Sequence, residues 1–262
     1  ATGVGSTADV DTAANVLDVS VTAAGNIGIN EADAVTGAGI DAFSGSRVLT
    51  TGGDLLLTGD ITTGDDDNSE TGSKEYGIDA TTGSISVNVI GSITGAREIR
   101  TGDATADAGV GNNVLATTGA ILVNATQSID DVTVRTGDAT LRNADDLTDI
   151  ATVGAIGLTA GLGHIGTNAG DRVTVQSGEP VGALTLATNV EGAVSMAAFD
   201  NIYVASASDL YIGAITAGTL VDLVVTGAAN DFTAGADGVV DITAPTVVIN
   251  ASGAIGGMNG VE

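Results

Sequence analysis

Five oxygen-bearing side chains crowd together at Asp65, Asp66, Asp67, Asn68 and Glu70. That density of hard ligands is what a calcium ion requires. The register is not that of a helix-loop-helix calcium loop, and the glycine-rich nonapeptide of calcium β-rolls is absent, so an anionic surface loop is the favoured reading. Calcium is the one cofactor the sequence suggests. Adjacent acids recur at Asp130-Asp131 and Asp145-Asp146, the residue type that glycoside hydrolysis uses in pairs. Neighbours on a strand point to opposite faces, however, so a working pair would have to be assembled from separate strands. His164 is the single histidine and there is no cysteine. Thiolate chemistry and disulfides are therefore excluded, and no catalytic residue is assigned.

The elements that hold these residues are repeats. A Gly followed by two alternating aliphatics occurs at Gly25-Ile27-Ile29, Gly53-Leu55-Leu57, Gly83-Ile85-Val87, Gly119-Ile121-Val123, Gly154-Ile156-Leu158 and Gly182-Leu184-Leu186. The period is uneven but stays within the range that signals a stacked solenoid rather than a globular domain. A second pattern, aliphatic-x-Thr/Ser-Gly-acid, falls between them at Ile61 to Asp65, Ile99 to Asp103, Val134 to Asp138 and Val175 to Glu179. A lone aliphatic, Ile93, Ile129 or Ile165, sits between the two patterns. His164 precedes the last of these where Ser92 and Ser128 precede the others, which makes it an ordinary outward repeat position. Asn30, Asn88 and Asn124 each follow the second aliphatic of the first pattern, the placement expected of a side-chain amide ladder.

Period-two alternation in short runs bounded by Gly, Thr, Asn and Asp, with no helical period, predicts an all-β chain. Three short strands per unit predict a parallel β-helix with one coil per repeat, running as a single continuous solenoid over residues 1–262. The stretches 64–76, 103–113 and 138–149 follow the Thr-Gly-Asp corner and are expected as longer corner loops. After Gly182 the aliphatic runs tighten, at Ala193–Met196, Ile202–Val204, Leu210–Ile212, Leu220–Val225, Val239–Ile242 and Val247–Ile249.

Composition narrows the function. Thirty-three acids against seven bases give a formal charge of −26, which repels phosphate backbones and anionic headgroups. Nucleic acid is not an expected partner, and no apolar run is long enough to insert in a membrane as a helix. Glycine supplies 39 residues and aromatics only six, so the core must be thin and aliphatic. Ala1 opens without a signal segment, and a processed segment of a longer chain is expected. Neither terminal region shows a cap over its strand edges.

Units such as Thr81-Thr-Gly-Ser-Ile-Ser-Val-Asn-Val-Ile-Gly-Ser-Ile93 and Thr117-Thr-Gly-Ala-Ile-Leu-Val-Asn-Ala-Thr-Gln-Ser-Ile129 resemble the repeats of large bacterial exoproteins of the filamentous-haemagglutinin and autotransporter-adhesin type. That resemblance implies a right-handed β-helix at the cell surface or outside the cell, structural or adhesive, self-associating into filaments or binding other surface components. A carbohydrate-active β-helix enzyme is the alternative from a different class, and a calcium-assembled surface-layer subunit is the third.

Overall fold

Aliphatic side chains that alternate along short runs can be buried only if each run lies on a sheet with one face turned inward. The computed structural model describes residues 3–5, 8–68, 79–107, 114–142, 149–182, 188–231 and 240–256, and these contain strands and no helix. Among the described residues the strands form four sheets, of ten, eleven, four and four strands. The ladders between successive strands are parallel, as in Ile27–Glu31 with Arg47–Thr51 and Ile85–Val89 with Ile121–Ala125. The chain is thus all-β, its parallel strands stacked in a way consistent with a β-solenoid.

The sequence separation between facing positions on the largest sheet measures each circuit of the chain. Val10 faces Ile29 and Ile29 faces Leu49, separations of 19 and 20. Leu49 then faces Val87, Val87 faces Val123, Val123 faces Leu158 and Leu158 faces Met196, separations of 38, 36, 35 and again 38. Met196 faces Ile215, and the separation returns to 19. Short circuits run from the first sheet into the second and back. In them one long strand, Val35–Ser44, pairs with two separate strands of the next circuit, Leu55–Leu57 and Ile61–Thr63. Long circuits add two strands that belong to the third and fourth sheets.

Two apolar cores follow from this. The main one lies between the first two sheets, where inward positions stack as columns of like residues. One column runs Val35, Leu55, Ile93, Ile129, Ile165, Ile202, Val221 and Val247. The lone aliphatics of the repeat therefore sit on one another, and Ile93, Ile129, Ile165 and Ile202 have no exposed surface. Burying each such side chain contributes about 1.5–3 kcal/mol. The second core is separate and mostly alanine: Ala80, Ala104, Ala106, Val114, Ala116, Ala139, Leu141, Ala151 and Val153. It fills a side lobe made by the third and fourth sheets.

That lobe occupies ground expected to be loop. The stretches at 64–76, 103–113 and 138–149 begin as the strands Asp66–Asn68, Ala104–Asp107 and Ala139–Arg142, which pair in register with one another. Alanine alternating with Thr and Asp carries little hydrophobic signal, because an alanine buries so little area. Residues 69–78, 108–113 and 143–148 lie outside the described residues. The lobe's final strand in the third sheet opens with Pro180 and is an edge strand, the place in a sheet that tolerates a missing N–H.

Two of the expected glycine units fall elsewhere. Leu55 and Leu57, after Gly53, belong to the second sheet. The position equivalent to Ile85 is Arg47, and the one equivalent to Val87 is Leu49. Gly182 ends a strand of the third sheet, and Leu184 and Leu186 lie outside the described residues. It is Gly192, followed by Val194 and Met196, that stacks on Gly154. Arg47 hides the repeat because it places a guanidinium in an aliphatic column, 1 % exposed. It donates to the carbonyls of Ala42 and Gly45 at 2.7 and 2.9 Å, and burial pulls its pKa down to about 10.

Candidate functional site

The Thr-Gly-acid corners are where candidate chemistry concentrates, and their side chains are engaged between circuits. Thr63, Thr101 and Thr136 each accept, on Oγ1, the N–H of the glycine one circuit on, Gly102, Gly137 and Gly178, at 2.8, 3.1 and 3.0 Å. Asp65, Asp103 and Asp138 do the same for the N–H groups of Asp103, Asp138 and Glu179, each at 2.9 Å. Circuits that turn a corner leave N–H groups without a ladder partner, and here the preceding circuit supplies it. The glycine is required by the stacking: a Cβ on Gly137 or Gly178 would collide with the carbonyl of the glycine below.

The end of the lobe has its own corner of the same design. Thr82 accepts from Gly119 N–H and Thr118 from Gly154 N–H, both at 2.9 Å. Gly83, Gly119, Gly154 and Gly192 form a second column, in which a Cβ on any of the last three would collide with the glycine before it.

Of the calcium-type residues, Asp65 caps Asp103 and lies 3.7 Å from Arg100 Nη2. Asp66 takes the register position of Ala104 at the first layer of the lobe and accepts Thr81 N–H at 2.8 Å, joining the third sheet to the fourth. Asp67 is on the opposite, outward face of the same strand, and Asn68 is its last residue. Glu70 lies outside the described residues. Among the described residues no three His, Asp or Glu side chains are grouped as a metal site would group them.

Ser128, His164 and Asp130 do come together. Ser128 Oγ lies 3.4 Å from His164 Nδ1, and His164 Nε2 lies 3.2 Å from Asp130 Oδ1. Asp130 also accepts Thr167 Oγ1–H at 3.1 Å. The order of groups matches a hydroxyl–imidazole–carboxylate relay, which circuit stacking creates by setting His164 over Ser128 of the preceding circuit. A nucleophilic serine also needs donors for an oxyanion. Here the N–H groups of Gln127, Ser128, Ile129 and Asp130 are already bonded to Gly91, Ser92, His164 and Ile93. Ser128 Oγ itself accepts His164 N–H at 3.3 Å and is buried. The arrangement clamps two circuits. Its neighbour Asp131 is exposed and takes a left-handed backbone conformation, φ 55°. Asp145 and Asp146 lie outside the described residues.

Three further clusters lie outside the expected site residues, and only the last of them is aligned by a repeat, at the x position of the second pattern. Arg172 stacks 5.7 Å over the Tyr203 ring and reaches Asp222 at 2.8 Å, binding three successive circuits. Glu191 meets Tyr211; burial, then the charge of Glu179, pushes its carboxyl up to about 7, and burial and Glu191 push the Tyr211 phenol up to about 12. On the outward face of the second sheet, Arg100 and Arg135 stand in register on adjacent strands. Asn88 and Asn124 are bonded amide to amide at 3.0 Å as an Asn ladder requires, while Asn30 is separated from them by Thr50.

No protein-family model, no curated protein and no solved structure matches the chain.

Proposed function

We propose that the chain is a right-handed parallel β-helix acting as an extracellular structural or adhesive element, which works by self-association and by displaying an acidic surface. The observation that supports this most is the use made of its reactive side chains. The corner Thr and Asp residues, the one histidine and the Asn88–Asn124 pair all bond one circuit to the next. Such bonds stiffen a stack and convert nothing. The last described strand of the second sheet, Thr246–Ala251, has a single paired edge among the described residues, and its inward Val247 is 43 % exposed. An edge of this kind accepts further β structure, whether from the same chain or from a second copy. The resemblance to exoprotein repeats points the same way.

Electron microscopy and sedimentation of the purified chain over a concentration series test this. The expected result is filaments or a ladder of oligomers, without release of sugar ends from acidic or neutral polysaccharides. Sustained polysaccharide turnover that disappears in Asp130→Asn would overturn it.

A further inference from the structure

A chain with 33 acids and seven bases has every reason to pair each base with an acid. Two arginines are arranged otherwise. Arg100 and Arg135 occupy register-matched outward positions on neighbouring strands of the second sheet, where parallel strands bring equivalent side chains to about 4.8 Å spacing. Like charges so placed repel. Arg100 has one distant ion pair, 3.7 Å to Asp65, and Arg135 has none among the described residues. The Nε atoms of both are buried without a hydrogen-bond partner among the described residues. Of the carboxylates near this corner, Asp65, Asp103 and Asp138 each accept an N–H from the next circuit. Among the described residues Glu98, two residues before Arg100 on the same strand face, forms no ion pair with either arginine. The flanking members of the column are neutral, Thr62 beside Arg100 and Gln176 beside Arg135.

We propose that the Arg100–Arg135 pair is a binding site for a single oxyanion group, a carboxylate or sulfate bridging the two guanidiniums. Planar forks suit such groups because they offer paired N–H donors to paired oxygens. A bridging anion removes the repulsion between the arginines. The net charge of −26 selects against long polyanions, which the surrounding surface repels. The ligand is therefore a free small anion or one acidic group on an otherwise neutral glycan. This site does not depend on the structural reading above.

The neighbouring circuits supply the test variants. Arg135→Gln copies Gln176 and Arg100→Thr copies Thr62, so both substitutions are already accepted by the column. Melting temperatures of the full chain would be measured in sodium chloride and in sodium sulfate at matched ionic strength, then with galacturonate and with neutral galactose. The wild type is expected to show a saturable rise with sulfate that both variants lose, and in chloride Arg135→Gln is expected to melt no lower than the wild type. A rise with galacturonate but not galactose would identify an acidic sugar as an accepted source of the group, and a rise with sulfate alone would identify a free anion. Identical sulfate curves in wild type and variants, or a large drop of Arg135→Gln in chloride, would overturn the proposal.

Discussion

The short circuits before Arg47 and the long circuits after it are built on the same two main sheets, and apart from one residue added between Leu57 and Ile61 they differ at one corner. In the short circuit the chain passes from Phe43 to Gly45 through Ser44 alone. In the next circuit Gly64 stacks on Phe43 and Gly83 stacks on Gly45, so the stretch from 65 to 82 takes the place of that serine. A stacked sheet cannot absorb an insertion, but a corner can, provided the inserted segment stacks on its own copies. Four successive circuits do so. The lobe gains a core of its own, and at both of its junctions with the main body a Thr-Gly step caps the circuit above.

The sharpest way to separate the two regions is to cut into each core. Ile129→Ala removes a fully buried side chain from the continuous main column and is expected to cost about 3–4 kcal/mol. Leu141→Ala, in the thinner lobe core, is expected to cost about 2 kcal/mol, because neighbouring alanines leave room to close the gap. Chemical denaturation of both variants measures the difference, and equal losses would mean that the lobe is packed as tightly as the body.

The junction can be weakened alone. Thr101→Ala strips the Gly137 N–H of its acceptor at a site with no exposed surface, and is expected to cost about 1–2 kcal/mol. Thr101→Ser keeps the hydroxyl and is expected to recover most of it in the same denaturation assay.

A smaller effect tests where the lobe gives way to short circuits, at Glu191. Its folded pKa, about 7, lies above the ordinary 4.5. Between these values the native state keeps a proton that the unfolded chain has lost, so stability falls as pH rises from 4.5 to 7 and is level above. Glu191 is half-buried, and solvent screening limits the effect to about 1 kcal/mol. Glu191→Gln is expected to be more stable than wild type at pH 8 and indistinguishable at pH 4, read as a difference in melting temperature.

Much of this was legible in the sequence. The Thr-Gly-Asp corners, the column of lone aliphatics and most of the closely spaced strands after Gly182 follow from spacing alone, because every circuit imposes the same inward positions. The exception is Val239–Ile242, where Val239 lies outside the described residues and the strand is Ile242–Thr243. His164 falls in line with Ser128 and Ser92 for that reason. The side lobe was not legible as strands, since alanine buries too little to mark an inward face. Arg47 concealed one repeat and Leu55 imitated another. Contacts such as Arg172 with Asp222 and His164 with Asp130 depend on circuit length, which differs between the short and long regions, whereas Arg100 and Arg135 share the x position of the second repeat and were alignable from it.

The absence of cysteine permits a direct measurement of register, on which both the cores and the corner caps depend. Asn88 and Asn124 are matched on adjacent strands, where Cα atoms stand about 4.8 Å apart, within the span of a disulfide. Thr159 is the next member of the same ladder, two layers from Asn88, and is out of reach. Asn88→Cys with Asn124→Cys is expected to cross-link almost completely under mild oxidation of the folded chain, and Asn88→Cys with Thr159→Cys to remain reduced. Cross-linking of the second pair, or failure of the first in a folded protein, would contradict the stacked circuits.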